Sequence, residues 1–306
     1  MTKYNLHPLV SIMIPTYGQE EYIREAVESA CAQDYENLEI AVTDDCSPDN
    51  TADVVKSISD PRLKYVRNQI NLGRVGNYHN TAHNVVKGKW AINLDGDDYF
   101  ISKTFVGEAM EAIGRYDDKN IVAYCYKHHQ LDKIKECIPY EKIDENRIIV
   151  SGKDYFLNYS KIGSFGHSSV LFRRDLGVSL NLYTLPYQAC DFHSLIRLFL
   201  LGDIILDRRD ISHWRVHGTN TTILEVEDKQ KQAMLTFDAI EEFAKDYCTK
   251  EELSQWRKDM NNSSYLDYIN TYALNKRNLK AKLLLLSRPR LKRWYIRAWV
   301  KQILNR

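Results

Sequence analysis

From Leu9 onward, short β-branched runs alternate with helical patterns: LVSIMI then Glu20 to Gln33, LEIAVT then Thr51 to Ile58, LKYVR then Asn77 to Val86, KWAINL then Ser102 to Tyr116, and NIVAYCY. That alternation predicts an α/β fold with a mainly parallel sheet covered on both faces, because parallel strands need crossover helices. The first helical segment has the matching period, with Ile23, Val27, Ala30 and Cys31 on one stripe and Glu21, Arg24, Glu25 and Glu28 on the other. Open α/β sheets collect ligands at the carboxyl ends of their strands, so the residues after each run carry the functional signal. They are Pro15-Thr16-Tyr17, Asp44-Asp45-Cys46-Ser47, Asn71-Leu72-Gly73-Arg74 and Asp95-Gly96-Asp97-Asp98.

The last of these, within INLDGDDYF, is the most demanding. Three carboxylates within four positions repel one another unless a cation or a set of donors neutralises them. An EF-hand loop from Asp95 would need Gly at Phe100 and Glu at Val106, so calcium-loop geometry fails. A phosphatase forming an aspartyl phosphate would want Thr or Val in place of Tyr99, and no GxxxxGK[ST] phosphate loop is present. The plain structural alternative is a helix N-terminus whose acidic residues complement its dipole. Asp44-Asp45-Cys46-Ser47 alone is an ordinary turn and cap, and Gly73 with Gly76 alone a tight connection; the order of all four strand ends is what speaks against coincidence.

Lys and Arg (42) nearly balance Asp and Glu (41), which argues against a general polyanion binder. Cysteines 31, 46, 125, 137, 190 and 248 form no CxxC pair, and the N-terminus MTKYNLHPLV lacks a signal-peptide core. A reducing cytosol is therefore expected, with no membrane span, since no apolar stretch approaches the roughly 20 residues required. Beyond Tyr126 the pattern loosens through KHHQLDKIKECIPYEKIDENR, then recovers in GSFGHSSVLFRRDL, helical CDFHSLIRLFLLGD and the short strand DIILD. SHWRVHGTNTT reads as a turn-rich loop. Cys125, His128, His129 and Cys137 match no standard zinc spacing and read as an exposed strand end. The expected organisation is a catalytic domain over residues 1–222 and a helical region over 223–306.

In combination, SIMIPTYGQEEYIREAVESACAQDYENLEIAVTDDCSPDNT, NLGRVGNYHNTAHNVVKGKWAINLDGDDYF, CDFHSLIRL and WRVHGTNTT resemble the family 2 glycosyltransferases of the GT-A fold. The resemblance covers residues 9 to about 222. It implies inverting transfer of a hexose or N-acetylhexosamine from a UDP-sugar. It places Pro15, Thr16, Tyr17, Glu20, Asp45 (or Asp44 beside it), Arg74, Asp95 and Gly96 around the nucleotide sugar. Asp97, with Asp98 as the alternative and His217 completing the site, would hold Mn²⁺ or Mg²⁺. Asp191 would be the general base for the acceptor hydroxyl. The family shows two acidic residues there, whereas this chain reads Cys190-Asp191. His167 and Ser168 are expected sugar contacts on the acceptor side.

From Lys276 to Arg306 there are eleven Lys or Arg and no acidic residue. Leu291, Trp294, Tyr295, Ala298, Trp299 and Ile303 fall near one helical face, as on an interfacial membrane helix. The expectation is a peripheral protein on the cytoplasmic face of the membrane, with a glycan or lipid-linked acceptor and no nucleic acid. Packing of that stripe on the protein itself is the competing reading. The competing functions are a nucleotide-sugar-binding protein that has lost transfer activity, motivated by Cys190, and a nucleotidylyltransferase, disfavoured because PTYGQE is no glycine-rich basic phosphate loop.

Overall fold

In the computed structural model, which describes residues 7–162, 165–186, 189–217 and 226–268 but not the side chains of 226–230 and 264–268, strand β1 (Val10–Thr16) is buried at every position. Such burial requires a central place in a sheet covered on both faces. Strands β2 (Leu38–Asp44), β3 (Leu63–Arg67), β4 (Trp90–Asn93), β6 (Ile121–Cys125), β7 (Glu141–Lys142), β8 (Arg147–Ser151), β9 (Val170–Arg173) and β10 (Asp203–Asp207) complete a nine-stranded sheet ordered β3-β2-β1-β4-β9-β6-β10-β8-β7. The first four in that order are parallel. Strand β9 then runs antiparallel to both β4 and β6, so the sheet is mixed.

Side chains alternate across the strands and so build two cores. Ile12, Ile14, Ile40, Val42 and Ile92 face one side, where α1 (Ile23–Cys31), α2 (Thr51–Lys56) and α4 (Phe105–Arg115) cover them. Met13, Ala41 and Ala91 face the other, under α3 (Gly73–Asn80), α6 (Gly152–Ile162) and α8 (Cys190–Phe199). Helices α9 (Val226–Ala244) and α10 (Lys250–Tyr268) join this second core through Phe237, Ile240 and Trp256, the last stacked on Phe156 at 4.8 Å. The expected boundary near residue 222 and the basic tail 276–306 lie outside the described residues.

Several local expectations shift. Helix α3 starts at Gly73 rather than Asn77, because Gly73 adopts φ 74° and turns the chain from the strand end directly into a helix. It continues as a π turn, Thr81–Val85. The loosely patterned segment after Tyr126 holds helix α5 (Leu131–Cys137) and the short strand β7, and leads into β8. His128 is not on an exposed end: it is buried, and its backbone N–H donates to the Asp207 carbonyl. The loop reading of SHWRVHG misses a two-residue strand, β11 (Ser212–His213), which pairs antiparallel with β5 (Tyr99–Phe100). That pairing matters most for the site, since β5 begins immediately after the acidic turn.

Candidate active site

The carboxyl ends of β1, β2 and β4 open onto one cavity of about 640 Å³. Among the described residues it is lined by Pro15, Thr16 and Tyr17, by Asp45, by Arg74 and Tyr78 of α3, by Asp95, Gly96 and Asp97, by Asp191, and by Trp214. Parallel register explains the convergence, because strands running in one direction end at one rim. Thr16 is paired with Asp44, so the residues that follow β1 and β2 emerge side by side.

Asp44 and Asp45 part company at this rim. Asp44 is fully buried, and its carboxylate accepts from Ser47 N (2.9 Å), Ser47 Oγ (2.5 Å), Tyr65 Oη (2.6 Å) and Arg67 Nη1 (2.8 Å). Its donors are internal, so it braces the turn and does not reach the cavity. Asp45 accepts from Asn68 Nδ2 and the Leu72 backbone N–H, both at 2.8 Å and both on Oδ1, and lines the cavity wall. Glu20 also lies off the cavity, its carboxylate accepting from the backbone and side-chain nitrogens of Asn50. Tyr17 is half exposed at the mouth.

The repulsion within Asp95-Gly96-Asp97-Asp98 is relieved one carboxylate at a time. Asp95 accepts from Tyr78 Oη and from Asn93 Nδ2. Asp98 accepts from the Arg215 backbone N–H at 2.9 Å, and burial, with Asp95 and Asp97 adding to it, raises its pKa to about 7. Asp97 Oδ2 meets His217 Nε2 at 2.8 Å. The β5–β11 pairing delivers His217 to that position, and Tyr22 stacks on its ring at 4.8 Å. The Arg215 guanidinium donates from Nε to the Asp97 carbonyl and lies over Tyr22 and Tyr99. Gly96 is required by space: a Cβ there would stand 2.5 Å from Thr16 Oγ1.

One carboxylate and one imidazole in contact form a donor pair suited to Mn²⁺, with oxygen ligands from a diphosphate completing it. Among the described residues no three His, Cys, Asp or Glu side chains converge, so the protein alone offers an incomplete shell. Asp98 is directed to the backbone of Arg215 rather than to the Asp97–His217 pair.

Asp191 sits in the first turn of α8 and faces the cavity, while Cys190 beside it is fully buried in the core, its thiol pushed up to about 12 by burial. Helical geometry separates the two neighbours, and the departure at Cys190 falls on the packed side. Partial desolvation works against the charge of Arg74, which stays exposed at the cavity wall, but Tyr78, Cys190, Asp191 and Asp95 around it raise its pKa on balance. His167 and Ser168, the expected sugar contacts, do not line this cavity: Ser168 is buried, and His167 Nε2 is 2.9 Å from Tyr183 Oη with its ring edge-on to Tyr78. Tyr78 and Trp214 were not singled out by sequence reasoning. Starting α3 at Gly73 would have exposed the first, since Arg74 and Tyr78 are then one turn apart on one face, 5.5 Å from guanidinium to ring centroid.

The model of the family described as "Glycosyl transferase family 2" matches residues 11–176, more than half of the chain, and the chain belongs to that family. It is therefore an enzyme that transfers sugars. It is 29% identical over 234 residues to an uncharacterized glycosyltransferase of Rickettsia prowazekii, covering 72% of this chain and 68% of that protein. It is 32% identical over 125 residues to an Escherichia coli UDP-Glc:alpha-D-GlcNAc-diphosphoundecaprenol beta-1,3-glucosyltransferase, covering 41% of this chain and 47% of the relative. Its GT-A fold matches that of TarS from S. aureus in complex with UDP-GlcNAc, with a TM-score of 0.67 at 18% identity over 90% of this chain and 77% of that one. A mannosyltransferase from Pyrobaculum calidifontis in complex with GDP-Man and Mn²⁺ aligns with a TM-score of 0.52 at 17% identity, over 99% of this chain and 88% of that one.

Proposed function

We propose that this protein is a metal-dependent inverting glycosyltransferase that moves a hexose or N-acetylhexosamine from a UDP-sugar to a hydroxyl of a glycan or lipid-linked acceptor in cell-surface polysaccharide synthesis. The observation that carries the reading is the convergence of Asp45, Asp95, Asp97 and Asp191 on one cavity, with His217 against Asp97 behind it. The UDP-sugar named for the E. coli relative and the UDP-GlcNAc bound to TarS support the donor class. The Mn²⁺ in the mannosyltransferase complex supports the metal.

In this mechanism Asp45 accepts from the base imide N–H, with Pro15 and Tyr17 packing against the ring. Asp95 receives the ribose hydroxyls, and its bonds from Tyr78 and Asn93 hold it in place. Asp97 and His217 would hold the metal, which would supply Lewis-acid neutralisation of negative charge on the departing diphosphate. Arg74 lends a fixed positive charge to the same end of the cavity. Asp191 takes the acceptor proton as the hydroxyl oxygen attacks the anomeric carbon from the face opposite the leaving group. Residues 1–222 form the catalytic unit in this reading, and the basic tail 276–306 brings it to an anionic membrane surface. No helix among the described residues is long and apolar enough to cross a membrane.

The test is a thermal-shift panel of UDP, GDP, CDP, dTDP and UDP-sugars, each with and without Mn²⁺, followed by transfer assays. A ligand at about 100 times its Kd adds about 2.7 kcal/mol of stability. A Mn²⁺-dependent shift confined to UDP compounds and lost in Asp97→Ala is the expected result; no shift with any nucleotide overturns the reading. Binding to anionic liposomes that disappears on deletion of residues 288 to 306 is expected for the tail, and unchanged flotation rejects that part.

A further inference from the structure

Two large apolar side chains that line the cavity stay exposed to solvent, Tyr17 at 49% and Trp214 at 55%. Tyr17 packs against the base in the proposed mechanism, and Trp214 has no part in it. A single exposed apolar side chain on a surface is ordinary. This one is different, because both of its neighbours fix the direction in which it points. His213 pairs with Tyr99 across β11 and β5 and lays its ring on the Tyr99 ring at 5.0 Å. The Arg215 guanidinium lies over the same Tyr99 ring at 5.3 Å, while its backbone N–H donates to Asp98 and its Nε–H to the Asp97 carbonyl. Side chains alternate along an extended chain. With 213 and 215 both turned toward Tyr99, Trp214 is turned to the opposite side, where it lines the cavity with Asp97 and Asp191.

We propose that Trp214 is the platform on which the acceptor's reacting unit stacks, and that this unit is an uncharged pyranose ring. The inference rests on the transferase reading above, with the diphosphate at Asp97 and the acceptor hydroxyl at Asp191. An indole face is the negative side of its quadrupole, and the C–H groups on one face of a pyranose are its positive complement. The bonds of Arg215 to Asp97 and Asp98 tie Trp214 to the end of the cavity where the diphosphate leaves, far along the nucleotide from Tyr17 and Asp45. A donor fills the cavity inward from there, whereas an acceptor must come in from solvent to reach Asp191. The exposed indole is the apolar surface on that side.

Charge selects the acceptor as well. Among the described residues Arg74 is the one basic side chain that lines the cavity, and the mechanism gives it to the diphosphate. The charged groups left on the wall are carboxylates, so a phosphate or carboxylate on the acceptor ring would meet like charge. A neutral ring meets none, and its hydroxyls find acceptors in the same carboxylates.

The experiment is saturation-transfer NMR on the full chain with UDP and Mg²⁺, the diamagnetic ion keeping ligand signals sharp. The probes are both anomers of the methyl glycosides of glucose, galactose, mannose, N-acetylglucosamine and N-acetylgalactosamine, with methyl glucuronides as charged counterparts. At least one neutral glycoside should bind, with saturation concentrated on one face of its ring, and at least about tenfold more tightly than any glucuronide. Trp214→Ala should weaken that glycoside at least about tenfold more than it weakens UDP, and Trp214→Phe should recover part of the loss; circular dichroism checks the fold. Titration with UDP-Glc and UDP-GlcNAc beside UDP tests the donor. A Trp214→Ala loss specific to the UDP-sugars would make the indole a donor platform and overturn the proposal. Glycoside binding that is absent, indifferent to Trp214 or equalled by a glucuronide overturns it too. If UDP itself fails to bind the wild type, the transferase reading falls and the proposal with it; that result is read before any glycoside is added, so the two failures are distinct.

Discussion

The parallel half of the sheet and the part of the chain beyond it reach the same cavity by different physical routes. In the first, Pro15, Asp45 and Asp95 to Asp97 arrive because each ends or follows a buried parallel strand, and strand direction alone puts them on one rim. In the second, Asp191 and His217 arrive only because α8 packs its apolar face into the core and because β11 pairs with β5. A site built the first way survives loop variation. A site built the second way depends on the packing behind it, including α9 and α10.

The sharpest break in this comparison is Trp256→Ala. Trp256 is buried against Phe156 and Phe237, and its removal should cost about 3–5 kcal/mol, read by denaturant unfolding. A loss below 1 kcal/mol would mean that the last helices are not part of the core that carries α8. Next come the chemical residues, one from each half. Asp97→Ala and Asp191→Asn should each reduce turnover by about 10³, or about 4 kcal/mol in the barrier, in a UDP-release assay with acceptor. If Asp191→Asn turns over at the wild-type rate, the base lies elsewhere.

The adjacent carboxylates sharpen the contrast within the first half. Asp44→Ala should destabilise by about 2–3 kcal/mol, because Tyr65, Ser47 and Arg67 lose a charged acceptor. Asp45→Ala should weaken nucleotide affinity with a smaller change in stability. Reversed results would exchange their roles. Gly96→Ala should cost about 1–2 kcal/mol through its clash with Thr16, measured as a fall in Tm.

A pH effect tests the second half. His193, one turn inside α8, is buried, and burial, with Arg197 assisting, lowers its pKa to about 3. His128 is likewise lowered to about 4 by burial. Below the ordinary histidine pKa of 6.5 the unfolded chain takes up these protons while the folded chain does not, so stability falls as pH drops from 6.5 toward 4. His193→Gln should flatten the unfolding midpoint over that window relative to wild type; an identical slope would show that His193 is accessible to protons.

The α/β alternation, the strand ends and the acidic turn were readable in the sequence because each is a local pattern: strand periodicity, strand direction and a short run of carboxylates. The resemblance supplied Asp97, His217 and Asp191 as candidates, but their surroundings were not legible. Nothing in the order of Asp44 and Asp45 says which is saturated, since Tyr65 and Arg67 are some twenty residues away. Likewise, the substitution at Cys190 loses its force only when α8 is seen to turn that thiol into the core.

The sheet, its rim and the kinds of group placed there therefore follow from local sequence, because backbone periodicity and hydrophobic burial act over a few residues. Packing between distant segments selects which carboxylates remain for a ligand and brings His217 to Asp97 through β11. Those outcomes depend on contacts between segments 21 to 120 residues apart, and hydrogen-bond saturation is a property of a neighbourhood in space, which no window of sequence contains.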